Sequence, residues 1–175
     1  MVIDSRGYQI SIQSMYVDGT PLTIFGEVPT RLSTVVPYTV LKTDIYNALA
    51  QSFTLKAEAM GISKVTSVAP FKDCFDARNI AVKNTGPDVP EIEFGLPWKT
   101  GEVKWGFYGA NSVVEVSEMV TCLAFYDGGQ YPEDSIVIGT HQLQDYLLEF
   151  DFSTSTFSFS DSLLLHDTNC STRPS

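Results

Sequence analysis

The sequence predicts a mostly β fold with one or two helices, and three observations lead to this class. Short apolar stretches recur through most of the 175 residues, separated by Gly, Asp, Pro and Ser residues that favour turns. Several of them alternate apolar and polar residues, as strands with one buried face do. Only one stretch keeps a helical period over several turns. Together these patterns are typical of an all-β domain that carries a helix on its sheet.

The first elements predict a β-hairpin and a short strand. Residues Tyr8 to Ile12 alternate apolar and polar, and Asp18-Gly19 is a turn signal before Leu22 to Ile24, because glycine tolerates the positive φ of tight turns. Leu32 to Val36 is the next apolar run. It should end at Pro37, which has no backbone N–H for strand pairing.

The long helix is predicted from Asp44 to Met60. Apolar residues recur there every four positions, at Ile45, Leu49, Phe53 and Ala57. Thr43 or Asp44 can accept hydrogen bonds from the free N–H groups of the first turn. Gly61 can take the left-handed conformation that often ends a helix.

The second half of the chain is predicted to consist of strands. Asp73 to Asp88 has breakers and no clear period, so we expect a long loop there. The predicted strands that follow are Ile92 to Leu96, Glu102 to Gly109, Val113 to Val116, Val120 to Tyr126, Ile136 to Ile138, Leu147 to Phe152 and Thr156 to Phe159. No repeat or linker divides the chain, and we therefore expect residues 1–175 to form a single domain.

Composition and charge exclude several classes of protein. With 43% hydrophobic and 18% charged residues, the chain can bury a core of ordinary size. Its net charge of -10 repels nucleic-acid phosphates and anionic membranes, so neither is an expected partner. No apolar run reaches the roughly 20 residues that a membrane helix needs. The segment Met1 to Asp4 lacks the charged-then-apolar pattern of a signal peptide.

The three cysteines, Cys74, Cys122 and Cys170, leave two interpretations open. Their spacing is not that of a zinc site, and neither a metal nor a cofactor is expected. In an oxidising compartment one pair would close a loop of about 50 residues, which stabilises by about 4 kcal/mol in the chain-entropy model, and one thiol would remain. The alternative is three reduced, buried cysteines.

Four blocks of sequence resemble the C-terminal lobe of a plant aspartic-peptidase-like family, which includes xylanase inhibitors, extracellular dermal glycoproteins and basic 7S globulins. The blocks are RLSTVVPYTVLKTDIYNAL (Arg31 to Leu49), SVAPFKDCFDARN (Ser67 to Asn79), GANSVVEVSEMVTCLAFYDGG (Gly109 to Gly129), and Ser135 through Cys170. They occur in the family's order. The resemblance implies a pepsin-like lobe, a double-psi-type β-barrel, whose N-terminal companion lobe is not in this chain.

The resemblance also implies that the lobe has no peptidase activity. It sets Ser33-Thr34-Val35 where an active peptidase carries Asp-Ser/Thr-Gly, and that motif occurs nowhere in the sequence. Peptide hydrolysis on this fold needs two carboxylates that share a proton. Asp18 and Glu27 are the alternative carboxylates, although Asp18-Gly19-Thr20 reads better as a hairpin turn and Glu27 precedes Val-Pro, without the glycine of a tight loop.

The same resemblance assigns inhibitory and disulfide residues. His166 stands where xylanase-inhibiting relatives carry a histidine that meets the acidic pair of the enzyme, and Asn84 stands at a second contact loop. Cys74 is expected to pair with Cys122, while Cys170 is expected to bond to the N-terminal lobe.

The predicted function is therefore an extracellular inhibitor of microbial cell-wall-degrading glycoside hydrolases, for which this lobe would be one half. An aspartic peptidase and a peptide-binding or storage protein like the 7S globulins remain as alternatives. An isolated lobe would expose strand edges, so we expect weak stability or oligomerisation of the chain alone. Asn169-Cys170-Ser171 also matches the N-glycosylation sequon.

Overall fold

The computed structural model describes residues 1–4, 7–23 and 26–170, and most of the regular structure is β-strand. The strands are β1 (Val2–Asp4), β2 (Gly7–Ile12), β3 (Ser14–Val17), β4 (Thr20–Pro21), β5 (Val28–Leu32), β6 (Thr39–Leu41), β7 (Lys64–Val65), β8 (Cys74–Asp76), β9 (Val82–Lys83), β10 (Gly86–Pro87), β11 (Ile92–Trp98), β12 (Gly101–Phe107), β13 (Val113–Ser117), β14 (Val120–Leu123), β15 (Phe125–Asp127), β16 (Ile136–Ile138), β17 (Leu148–Asp151) and β18 (Thr156–Phe159). The helices are α1 (Thr43–Ala59), α2 (Gly109–Ser112) and α3 (Thr140–Leu143), and a 3-10 helix covers Leu163–His166. The predicted mostly β class is confirmed.

A central sheet has the strand order β1-β2-β5-β16-β6-β15. Strand β16 lies parallel to β5 and antiparallel to β6, while β6 lies parallel to β15. The carboxyl ends of parallel neighbours meet at the same edge of a sheet. The loops that follow β5 and β16 therefore lie side by side, which positions the first candidate site.

Two further sheets and two hairpins complete the fold. One sheet has the order β12-β11-β3-β4 and the other β13-β14-β8-β7, while β9–β10 and β17–β18 form separate hairpins. The core lies between the sheets and α1, and its largest fully buried side chains include Tyr46, Phe53, Phe75, Phe94, Trp105, Phe107 and Phe125. Burying one such side chain stabilises the fold by about 1.5–3 kcal/mol.

Helix α1 agrees with its prediction to within one residue at each end. At the C-terminus, Gly61 has φ +82°, its N–H donates to the Glu58 carbonyl at 2.9 Å, and the Ile62 N–H donates to the Ala57 carbonyl at 2.9 Å. These two bonds are the Schellman arrangement that a glycine at this position permits.

The N-terminus of α1 follows only part of its prediction. The Asp44 carboxylate accepts a hydrogen bond from the Ile45 N–H at 2.9 Å, as expected of a first-turn acceptor. The Thr43 hydroxyl instead donates to the Asp127 carboxylate at 2.6 Å. This bond ties the start of the helix to the end of β15.

The turn of the predicted hairpin is confirmed, but its first strand is Ser14–Val17 and not the predicted Tyr8 to Ile12. Asp18 (φ 46°) and Gly19 (φ 67°) form the turn, which joins β3 to β4. The alternating segment of Tyr8 to Ile12 is β2, and it pairs with β5 in the central sheet. The chain leaves that sheet at Gln13, whose N–H donates to the Gly95 carbonyl at 2.8 Å. Ile24, the predicted end of the hairpin, lies outside the described residues.

The predicted strand from Leu32 to Val36 is wrong. Strand β5 ends at Leu32, and the next residues turn away, because the Ser33 hydroxyl accepts hydrogen bonds from the N–H groups of Val35 and Val36. Such side-chain acceptors compete with strand pairing for the backbone donors.

Three other predicted boundaries also need correction. The predicted loop from Asp73 to Asp88 contains β8, β9 and β10, whose two or three residues are too short to show a period. The predicted strand from Val120 to Tyr126 is divided at Ala124 into β14 and β15. The predicted strand to Gly109 ends at Phe107, and α2 follows.

Candidate functional site

Ser33 lies at the carboxyl end of β5, in the loop that faces β16. Its N–H donates to the Ile138 carbonyl at 2.9 Å. Its hydroxyl oxygen is 3.2 Å from the Val35 nitrogen and 3.1 Å from the Val36 nitrogen, and it accepts a hydrogen bond from each. The side chain therefore shapes its own loop and supplies no carboxylate to the sheet edge.

The two alternative carboxylates lie away from this loop. Asp18 sits in the β3–β4 turn, where its carboxylate accepts a hydrogen bond from the Glu91 N–H at 2.8 Å. Glu27 precedes β5 whereas Ser33 follows it, so five strand residues of about 3.3 Å each separate them. Glu27 instead lines a groove of about 590 Å³ with Trp98 and Phe157.

A buried glutamine in α3, the helix that follows β16, holds this helix against the start of β6. The Gln142 carboxamide oxygen accepts hydrogen bonds from the Thr39 N–H at 2.9 Å and the Thr39 hydroxyl at 2.8 Å. Its nitrogen donates to the carbonyls of Asn111 at 2.8 Å and Ala124 at 2.9 Å. All four hydrogen-bonding positions of this side chain are thus used. Sequence reasoning missed Gln142, because its partners are distant in the chain.

His141 is the second residue of the same short helix, α3, and its side chain is bonded within the fold. Its Nε2 lies 3.0 Å from the Val113 carbonyl oxygen, and its ring centroid lies 5.4 Å from that of Tyr38. Burial lowers the pKa of His141, while the contact with Val113 opposes that change. The neutral imidazole therefore donates to the carbonyl, so the histidine stabilises the packing of α3 on β13.

The second candidate site begins at the β9–β10 hairpin, which carries Asn84 at its tip. Gly86 has φ +93°, and a Cβ there would lie 2.3 Å from the Ala110 nitrogen. A Cβ at Gly109 would lie 1.9 Å from the Pro87 carbonyl oxygen, and the Ala110 N–H donates to the Thr85 carbonyl at 2.8 Å. The two glycines thus let the stem of the hairpin pack directly on α2.

The 3-10 helix presents His166 on the surface. The Leu163 N–H donates to the Asp145 carbonyl at 2.8 Å, which fixes the start of this helix. Asp167 ends it in the left-handed conformation, with φ 54°. His166 is exposed, and its neighbour Leu165 is 48% exposed.

The structure brings the segments of Asn84 and His166 together, although they are far apart in the sequence. The Asn84 carboxamide donates a hydrogen bond to the carboxylate of Asp167, the residue that follows His166. Lys83, Asn84, Thr85, Leu164 and Leu165 line a shallow hollow of about 400 Å³ between the two segments. We call Asn84, Leu165, His166 and Asp167, together with this hollow, the hairpin–helix surface.

The cysteines fall into two groups. Cys74 and Cys122 face each other on paired strands and form a disulfide, buried beside Phe71. Cys170 is exposed and free in this chain, and its N–H donates to the Asp145 carboxylate at 2.9 Å. The C-terminal segment is therefore anchored through its backbone just beyond His166.

The described part of the chain has neither a cluster of metal ligands nor a helix that could span a membrane. Residues 1–4, 7–23 and 26–170 contain no group of three or more His, Cys, Asp or Glu side chains placed to hold a metal ion. In those residues no helix has the length and apolar character needed to cross a membrane.

Comparison with known proteins identifies the family. Residues 7–161 match the family model described as "Xylanase inhibitor C-terminal". The chain belongs to this family. Curated relatives include "Probable aspartic proteinase GIP2" from Nicotiana benthamiana, 48% identical over 81% of this chain, and "Gamma conglutin 1" from Prunus dulcis, 42% identical over 93%.

Solved structures share the fold of this xylanase inhibitor C-terminal domain. "Crystal structure of edgp" has a TM-score of 0.86 and 38% identity over 93% of this chain, and "Crystal structure of Basic 7S globulin from soybean" has 0.80 and 29% over 97%. The matches cover 31% and 38% of the curated relatives and 41% and 43% of the solved chains. The chain therefore spans less than half the length of these relatives.

Proposed function

We propose that this chain is the C-terminal lobe of a proteolytically inactive inhibitor of microbial cell-wall-degrading glycoside hydrolases, either xylanases or xyloglucan-specific endoglucanases. The family description, xylanase inhibitor C-terminal, supports this class of target. The observation that carries the proposal is the hairpin–helix surface. Asn84 and His166 are the two contact residues that the family resemblance implies, and a hydrogen bond joins their segments.

The proposed mechanism is occlusion of the catalytic cleft. Glycoside hydrolases of this kind hold two carboxyl groups across the scissile bond. His166 is exposed at the end of a short helix and enters the cleft to donate charge-assisted hydrogen bonds to one or both carboxylates. Asn84 contacts the rim beside it.

The parent protein is proposed to be extracellular and two-lobed. The chain covers 31% of the Nicotiana benthamiana relative, and the remainder of such a protein can supply an N-terminal lobe. The exposed thiol of Cys170 is available for a disulfide to that lobe. The Cys74–Cys122 disulfide favours an oxidising compartment such as the apoplast.

Inhibition assays test the proposal directly. A xylanase and a xyloglucan-specific endoglucanase are titrated with the chain and, where obtained, with the two-lobe parent protein. His166→Ala should weaken inhibition by about tenfold or more, as the loss of a charge-assisted bond predicts. Glu58→Gln, on the exposed face of α1, is the matched control. Unchanged inhibition by His166→Ala would remove this residue from the site, and inhibition of neither enzyme by the parent protein would overturn the proposal.

Aspartic peptidase activity is the second candidate, because the Nicotiana benthamiana relative is named a probable aspartic proteinase. Pepstatin-sensitive cleavage of a denatured protein at about pH 4 would establish it. In that case Asp18→Asn and Glu27→Gln would identify the carboxylate. The position of Ser33, which supplies no carboxylate at the sheet edge, favours the inhibitor.

A storage or peptide-binding role is the third candidate, since the relatives also include proteins named gamma conglutin and basic 7S globulin. Affinity capture from a plant extract separates this role from inhibition. An inhibitor should leave plant peptides in the flow-through and retain an added glycoside hydrolase.

A further inference from the structure

We propose that Asp167 is a positioning residue of the hairpin–helix surface: its carboxylate holds Asn84, and through it the tip of the β9–β10 hairpin, against the 3-10 helix. The consequence for inhibition rests on the proposed function. The contact between the Asn84 and Asp167 side chains does not depend on that function. The contact and its effect on inhibition can therefore be tested separately.

Each side of this contact is fixed by its own segment. The stem of the hairpin packs on α2 through Gly86 and Gly109, where a Cβ would meet backbone atoms. On the other side, the Asp167 N–H lies 3.4 Å from the Leu164 carbonyl oxygen, and the Thr168 N–H donates to the Leu163 carbonyl at 3.2 Å. The hydrogen bond between Asn84 and Asp167 joins the two segments, and Asn84 also lines the hollow.

The left-handed conformation of Asp167 directs this arrangement. Its φ of 54° reverses the chain directly after His166. Asp and Asn adopt this conformation more readily than other residues with a side chain, and glycine adopts it without cost. Replacement by glycine therefore removes the carboxylate and keeps the backbone, which makes a clean variant available.

The contact also determines where one carboxylate of the surface lies. A carboxylate beside His166 would oppose the acidic residues of a glycosidase cleft. The Asn84 carboxamide donates to the Asp167 carboxylate and holds it against the hairpin, while the negative charge stays in place. Asp167 thus serves the surface by holding Asn84.

A double-mutant cycle tests this role. Asp167→Gly should weaken inhibition by about fivefold, and Asn84→Ala by at least as much, because it also removes the proposed contact with the rim. The double variant should lose no more than Asn84→Ala alone, because both single variants already lack the hydrogen bond between the two side chains. Asp167→Asn keeps an acceptor oxygen at a tolerated φ and should restore most of the inhibition. Losses that multiply to about 25-fold, or Asp167→Asn as weak as Asp167→Gly, would overturn the inference.

A spectroscopic measurement tests the contact without any target enzyme. The side-chain NH₂ resonances of Asn84, followed by NMR in the full chain with Cys170→Ser to prevent dimerisation, should shift in Asp167→Gly, which removes the acceptor, and should stay unshifted in the control Glu58→Gln. Resonances that do not depend on Asp167 would refute the contact. If the shift is present and neither enzyme is inhibited, the contact stands and the proposed function fails.

Discussion

The side-chain oxygen of Gln142 accepts two hydrogen bonds from Thr39, one from its backbone N–H at 2.9 Å and one from its hydroxyl at 2.8 Å. The Thr39 hydroxyl oxygen in turn accepts a hydrogen bond from the Gly139 N–H at 3.1 Å. Both side chains are fully buried. They join the start of β6 to the loop after β16, where the parallel and antiparallel parts of the central sheet meet.

Gln142→Ala should destabilise the fold by about 3 kcal/mol or more, because it leaves several buried donors and acceptors without partners and also opens a cavity. Urea denaturation monitored by tryptophan fluorescence measures the free energy of unfolding. Gln144→Ala, an exposed neighbour of the same residue type, should change it by less than about 0.5 kcal/mol. Equal losses in the two variants would contradict the role of Gln142.

The chain should lose stability in acid, partly through Asp127. Hydrogen bonds from Lys72, Thr43 and the Gly129 N–H lower the pKa of Asp127 from 3.8 to about 2. Because the folded-state pKa is below the unfolded value, the stabilisation is present above about pH 4 and is lost as the pH falls toward 2.

Asp127→Asn tests this pH dependence. At pH 7 the variant should be less stable than the native chain by at most about 1 kcal/mol, since Lys72 is 60% exposed and water screens the pair. The difference should shrink as the pH is lowered from 5 to 2. A gap in urea midpoint that is constant over this range would show that Asp127 does not contribute through its charge.

Gly86→Ala should distort the hairpin that carries Asn84. The added Cβ would lie 2.3 Å from the Ala110 nitrogen, and the φ of +93° is strained for alanine. We expect a loss of stability of about 2 kcal/mol and, if the proposed function holds, weaker inhibition, because the hairpin carries the proposed contact residue Asn84. Gly101→Ala is the control, because a Cβ there meets no atom within 4 Å. Similar melting temperatures for both variants would argue against the close packing on α2.

The Cys74–Cys122 disulfide should contribute strongly to stability. It closes a loop with a sequence separation of 48 residues, for which the chain-entropy model gives about 4 kcal/mol. A Cys74→Ala, Cys122→Ala double variant should therefore unfold at clearly lower urea concentration than the native chain. Cys170→Ser should be neutral, since its thiol is free and exposed. A reducing agent that leaves the native chain unaffected would be inconsistent with this prediction.

The sequence predicts elements whose signals are local. The period of α1, the Schellman glycine Gly61 and the Asp18-Gly19 turn each depend on residues close in the chain, and the structure contains all three. The pairing of β2 with β5 was missed, because alternation identifies a strand and does not identify its partner.

The same contrast between local signals and long-range contacts applies to the residues of the candidate sites. Asn84 and His166 came from a family resemblance, and no local pattern indicates that their segments touch. The sequence does not indicate the roles of Asp167 and Gln142, because these roles arise from hydrogen bonds to residues 83 and 103 positions away in the chain. In the sequence, an exposed polar residue such as Asp167 and a buried one such as Gln142 cannot be told apart. Their degree of burial and their hydrogen-bond partners, which only the structure gives, distinguish them.

The close contact of Gly86 with α2 has a consequence for how such a surface can diversify. The stem of the hairpin tolerates little change, whereas a substitution at the exposed residue 84 removes the hydrogen bond to Asp167 and leaves the close packing of the stem intact. A change at the tip therefore alters the hairpin–helix surface on a framework that stays the same.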